Sequence, residues 1–197
     1  MGGAHEQIEH AEHVEHAAGH NKQIALLIAV IALFLAFSET LGKSAQTEAI
    51  SLNIKASDTW NFFQAKTIRQ TSLRVAADAM ALQVATAPND DAKAALAKQI
   101  EAWKATVARY ESDPKEKDGR KELREHAEHL EHERDTSLAR YHHYEVASAA
   151  FQIGIVLCSA AVITGMMALA WIAGGVGILG IVFMGIGLLA PHAVHFV

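Results

Sequence analysis

Hydrophobic and polar positions alternate between two regimes along the chain. Residues 24–38 and 146–197 contain no Asp, Glu, Lys or Arg, whereas apolar residues between those stretches recur at three- and four-residue steps among charges. The uncharged stretches predict membrane helices, because a helix crossing the hydrocarbon core needs about 20 mainly apolar residues. The stepped pattern predicts solvated helices that each carry an apolar stripe. The fold expected is therefore an all-α membrane protein with transmembrane helices over 22–41, 146–172 and 176–190. The second and third are set apart by Ala173, Gly174 and Gly175 and form a tight hairpin in the membrane. An interfacial or re-entrant third segment is the alternative. Residues 1–21 form a helical His/Glu-rich tail, and 191–197 a short C-terminal one.

Between the first and second spans, residues 42–145 are expected to form a helical stalk. Pro88 and Pro114 lie in loop-like runs that divide it into helices over about 43–86, 90–111 and 120–145. Asn89 is placed to cap the second of these. At 1.5 Å per residue the first helix is about 66 Å long, and the other two are about 33 and 40 Å. One helix out and two in line back gives a long antiparallel, coiled-coil-like hairpin; a compact three-helix bundle is the alternative.

Heptad spacing supports pairing. Leu96, Ile100, Trp103, Val107 and Tyr110 step by four and three, as do Leu123, Ala127 and Leu130; Ser137, Tyr141 and Tyr144 continue beyond Arg134. In the first helix Ile54, Asn61, Ile68, Val75 and Leu82 recur every seven residues, with Ala65, Ser72 and Ala79 as small neighbours. This seam is expected to face the returning helices, with Asn61 fixing register. A second stripe, Leu52, Ala56, Trp60 and Phe63, lies roughly opposite. One partner cannot cover both faces, so a second copy of the chain is expected on the latter stripe, with a third intramolecular helix as the alternative.

Composition narrows the chemistry. The 197 residues carry 17 Lys and Arg against 22 Asp and Glu, for a net charge of −5, and the stalk is close to neutral with no basic patch bearing interleaved aromatics. Nucleic acid is not an expected partner. The single cysteine, Cys158, lies in the second span, so no internal disulfide forms. The N-terminal tail opposes Glu6, Glu9, Glu12 and Glu15 with Lys22 alone, unlike the basic start of a cleaved signal, and reads as leading into an uncleaved anchor. Lys22 is also the basic residue of the short flanking segments, which favours a cytoplasmic tail and a stalk on the outer side of the membrane.

Twelve histidines include a near-repeat, His10, His13 and His16 against His126, His129 and His132, each interleaved with Glu. Imidazoles three or four apart on a helix can share zinc or copper. Pairs of Glu and His four apart on a solvated face give the same pattern, and so does pH sensing. No cofactor is expected on the first of these last two grounds. Glu39 is the acid within the membrane-anchoring segments, near enough to the end of its span to reach headgroups, as are His192 and His195.

Leu52, Asp58, Trp60, Asn61, Phe63, Gln64 and Lys66 make the densest group of distinctive side chains and are the candidate interaction or oligomer surface. The block Asp58, Trp60, Phe63, Gln64, Ala65 and the run Phe151, Gln152, Ile153 resemble a bacterial membrane protein family of unknown function, the domain of unknown function forty-three thirty-seven. That family has a Glu- and His-rich tail, a membrane helix, and a block of the form D-x-W-x-x-Y/F-Q-A. The resemblance implies a similar layout over nearly the whole chain and brings no activity. Family members often carry basic residues between the last two membrane helices, which Ala173, Gly174 and Gly175 do not supply.

No nucleophile–base set, phosphate loop or paired acids stand out, so an enzyme is not expected. The function expected is a scaffold or partner-binding module that homo-oligomerises through its stalk among membrane lipids, with another membrane or envelope protein as a further partner. The alternative is a component of a metal- or proton-handling channel or transporter, suggested by the histidines, Glu39 and the glycines of the third span.

Overall fold

A computed structural model describes the backbone of residues 3–193 and the side chains of residues 22–193. The described residues form four helices and no strand: α1 (Gly3–Val84), α2 (Asp90–Glu111), α3 (Arg120–Thr164) and α4 (Met167–Leu189). Three of them are long and apolar enough to cross a membrane. The tail, the first apolar segment and the charged segment beyond it are a single helix, since nothing between Gly3 and Val84 breaks the backbone ladder.

Local chemistry explains the other boundaries. Asn89 accepts from the Ala92 amide at 2.8 Å, and Asp90 and Asp91 place negative charge on the first turn of α2. The α2–α3 loop closes on itself. Glu122 accepts from Ser112 Oγ at 2.5 Å and from the Asp113 amide at 3.1 Å. Gly119 is buried in that loop, where a Cβ would meet Glu122 Oε2 and the Asp113 nitrogen, with Ser112 Cα 2.6 Å away. Only a residue without a side chain fits there.

The chain divides into two compact units. One comprises residues up to Glu48 together with the chain from Thr136 onward. Its core holds Ile24, Ile31, Ala147, Phe151, Cys158, Ala161, Ala170 and Ala173. Small residues set the packing distance: Gly154 and Gly177 sit beside Ile31, Gly180 beside the Phe151 ring, and Gly187 beside His143 and Tyr144. Close backbone approach of this kind drives helix association where lipid is as apolar as leucine. Ser38 Oγ adds a hydrogen bond to the Tyr144 carbonyl at 2.9 Å. Leu26, Leu33, Phe37, Val156, Ile163, Trp171 and Leu189 point outward.

The boundary between the last two helices differs from the expectation. It falls at Gly165 and Met166, and the Ala173, Gly174, Gly175 run lies inside α4. Gly165 adopts a φ of 70°, the left-handed conformation that ends a helix, and its amide bonds the Ala161 carbonyl at 2.9 Å. Gly174 and Gly175 continue the ladder, since neither takes the positive φ that ends α3 at Gly165.

The other unit is Ala49–Asp135. Its contacts run in opposite senses along α1 and α3: Asn53 meets Arg134, Trp60 meets Glu131, and Thr67 meets Arg120. Farther along α1, Gln70 meets Val107 and Glu111 of α2. Ile100, Leu123, Ala127 and Leu130 are buried, and Leu96, Trp103, Val107 and Tyr110 are half-buried, so the spacing of these positions does mark the inward faces of α2 and α3.

Candidate functional site

Within Ala49–Asp135 the two faces of α1 take the reverse of their expected roles. Leu52 and Ala56 form a buried cluster with Leu130, and the same face continues through Trp60, Phe63, Lys66 and Gln70 to Ala77. The stripe expected to receive a second copy is thus covered by the chain's own α2 and α3. The seven-residue seam expected inside is outside: Ile54, Ile68, Val75 and Leu82 are 55%, 66%, 63% and 78% exposed. Hydrophobicity favours the seam as the inner face, but side-chain chemistry decides otherwise. The inner face carries groups that need specific partners, and α2 and α3 supply them.

Those partners are concentrated around Gln70, which is 1% exposed. Its amide nitrogen donates to the Val107 carbonyl at 3.1 Å and to Glu111 Oε2 at 2.7 Å, and its oxygen accepts from Arg120 Nη1 at 2.7 Å. Arg120 also donates through Nε to Thr67 at 2.9 Å and through Nη1 to Glu111 at 2.8 Å. A buried amide is tolerated when its donors and acceptor are paired, as here. The hydrogen bond from Gln70, followed by the Arg120 charge, holds the Glu111 carboxyl below its ordinary range. The Ser112 hydroxyl does the same for Glu122.

Lys66 is buried as well. Its ammonium lies 2.7 Å from Asp118 and over the rings of Phe62 and Tyr110, at 5.4 and 5.3 Å from their centroids. Trp60 donates to Glu131 at 2.9 Å and meets Phe63 edge-on at 5.5 Å. The Arg120 and Arg124 guanidinium groups lie over Phe63 at 5.1 and 5.6 Å. Beside Phe63 a cleft of about 430 Å3 is lined by Arg120, Lys121 and Arg124 together with Glu111, Glu125 and Glu128. Its charges are of both signs and Arg120 is already committed to Glu111, so no single ligand charge is favoured.

The candidate interaction residues therefore separate into two sets. Leu52, Trp60, Phe63 and Lys66 make contacts within the chain, where the expected partner was a second copy. Asp58, Asn61 and Gln64 are exposed on the outer side of α1. A shallow apolar hollow on that side is lined by Ile68, Ser72, Val75 and Ala79, among others. Sequence reasoning missed Gln70, Glu111, Arg120 and Asp118. A signal existed, since Lys66 and Gln70 continue the three- and four-residue steps of the Leu52 stripe, but a count of apolar residues stops at Phe63.

The remaining candidates are dispersed. Glu39 is exposed and accepts from the Gln152 amide at 3.4 Å. His126, His129 and His132 are exposed on α3, and His129 pairs forward with Glu133 at 3.6 Å rather than back to Glu125. Among the described residues no three His, Cys, Asp or Glu side chains are grouped to hold a metal ion. His10, His13, His16 and His195 lie outside the described side chains. His192 contacts Thr136 at 3.1 Å.

The family model described as Domain of unknown function (DUF4337) matches residues 20–190. This is the family that the Asp58-to-Ala65 block and the Phe151 run resemble. No curated protein and no solved structure matches the chain.

Proposed function

The chain belongs to that family, and we propose that it is a non-enzymatic, multi-pass protein of the bacterial inner membrane that homo-oligomerises through a helical stalk and acts there as a scaffold. In this reading the stalk is an antiparallel hairpin, with α1 leading out and α2 and α3 returning. The tail is cytoplasmic and the stalk periplasmic. One observation carries the proposal: the seam of Ile54, Ile68, Val75 and Leu82 is more than half exposed at every apolar position. Contiguous apolar surface of this kind on a charged, solvated segment marks an interaction site.

The test is the mass of the purified protein in mild detergent or nanodiscs. Wild type is expected as an oligomer, and Ile68→Asp with Val75→Asp as a monomer of unchanged helicity, since both positions already face outward. A monomeric wild type, or an oligomer indifferent to these charges, overturns the proposal.

A further inference from the structure

We propose that the α1 seam pairs with the same seam of a second copy, parallel and in register, so that Asn61 meets the partner's Asn61. This rests on the reading that another copy covers that face, and it specifies the arrangement. Ile54, Asn61, Ile68, Val75 and Leu82 recur at a strict seven, with Ala65, Ser72 and Ala79 four residues after the middle three. A seven-residue repeat stays on one side of a helix only when two helices supercoil left-handedly around each other. The small residues of the second row let the backbones approach. The hollow there is lined by Ile68, Thr71, Ser72 and Val75, the i, i+3, i+4 and i+7 set that makes a hole for a facing side chain.

Asn61 selects the arrangement. It is exposed, and its side-chain amide makes no hydrogen bond within the chain among the described residues. Burying an amide in an apolar seam is unfavourable unless another polar group meets it. In an antiparallel pair centred on Ile68, Asn61 faces the partner's Val75. In a parallel pair slipped by one heptad it faces isoleucine. An antiparallel pair centred on Asn61 matches the amides but sets Val75 and Leu82 against Thr47 and Thr40. Parallel, in-register pairing alone joins amide to amide while keeping every apolar position against its like. It is also the sense that two copies inserted the same way into one membrane adopt. Asp58, one heptad before Ala65, lies on the same row as the small residues and is exposed, so pairing in register sets it opposite the partner's Asp58, where solvent and salt screen the like charges.

The contact is large enough. Four side chains more than half exposed offer on the order of 100 Å2 each, so two copies remove roughly 800 Å2, and Phe62, Ala65, Ser72 and Ala79 bring the total past the ~1,000 Å2 expected of a specific interface. Anchoring in one membrane raises the effective concentration of the second copy further.

The test uses the full chain with Cys158→Ala, so that single introduced cysteines report alone. Ala65→Cys, Ser72→Cys and Ala79→Cys, each oxidised separately in membranes, are expected to give covalent dimers as the major product. An oligomer by mass in which Ala79→Cys does not cross-link to itself overturns the parallel register and leaves the scaffold proposal standing. A monomer by mass overturns both. Asn61→Leu is expected to raise the thermal midpoint of the oligomer while lowering the Ala79→Cys dimer yield, because register is no longer imposed. A lower midpoint with an unchanged yield overturns the role of Asn61.

Discussion

The indole nitrogen of Trp60 donates to the Glu131 carboxylate at 2.9 Å. That bond turns toward α3 a side chain whose setting among Asp58, Asn61 and Gln64 suggests outward recognition. An indole has one donor and no acceptor, so the direction of its N–H indicates which partner the residue serves. Here the partner is the chain itself, and the aromatic stripe of α1 is an internal seam fastened by polar groups. The outward face is the smoother one, built of Ile, Val, Leu, Ala and Ser with Asn61 among them.

Replacing Trp60 by Phe keeps the ring and deletes the bond. The expected loss is about 1 kcal/mol, at the low end for a hydrogen bond to a charged group because the site is half-buried. Amides of residues 49–135 in the full-length protein are then expected to exchange roughly fivefold faster, with the oligomer mass unchanged. In a double-mutant cycle, Trp60→Phe and Glu131→Ala should couple by about 1 kcal/mol. Additive effects would show that the pair does not interact, and a mass change with Trp60→Phe would return this stripe to the oligomer surface.

Glu111 makes stability sensitive to acid. Its carboxyl is held below the ordinary value of 4.5, first by Gln70 and then by Arg120. A group whose pKa is lower folded than unfolded stabilises the fold fully above its unfolded value, and this contribution is lost as pH falls through the folded value. Protection of residues 49–135 against hydrogen exchange, taken relative to the intrinsic rate at each pH, is therefore expected to be unaffected by Glu111 between neutral pH and about 5, and to decrease below that. Gln70→Leu should destabilise the unit by about 1–3 kcal/mol at neutral pH, since it leaves Arg120 and Glu111 without their buried partner. It should also flatten the acid limb. A Gln70→Leu protein with the wild-type acid dependence would show that Glu111 is not governed from α1.

The helices of this chain were legible in its sequence because breakers and caps are local. Pro88 with Asn89, and Pro114 with Gly119, mark the ends of α2 and the start of α3 within a few residues. The faces of α1 were not legible in the same way. Both have helical spacing, and the outer one is the more regular and the more apolar. The inner face is chosen by Gln70 and Lys66, whose partners Glu111, Arg120 and Asp118 are distant in sequence and reach them only when three helices are assembled. The α3–α4 boundary was misplaced for a related reason. Three small residues in a row look like a turn, yet one glycine at positive φ makes it, and an apolar run tolerates the other glycines as helix.

The two kinds of glycine in α4 give a final prediction. A Cβ at Gly180 would lie 2.7 Å from Phe151 Cε1 and 2.9 Å from Cζ, and Phe151 is fully buried, so its ring has no room to retreat. Gly180→Ala is therefore expected to cost about 1–3 kcal/mol through overpacking, seen as a lower thermal midpoint in detergent. Gly175 has nothing within 4 Å of the same position, so Gly175→Ala should be neutral or slightly stabilising, as removal of a helix-interior glycine is worth about 0.5–1 kcal/mol. Adding Phe151→Leu to Gly180→Ala should restore part of the loss by freeing the space that the methyl group takes. Equal effects at the two glycines, or no recovery with Phe151→Leu, would mean that α4 does not pack on α3 through this contact.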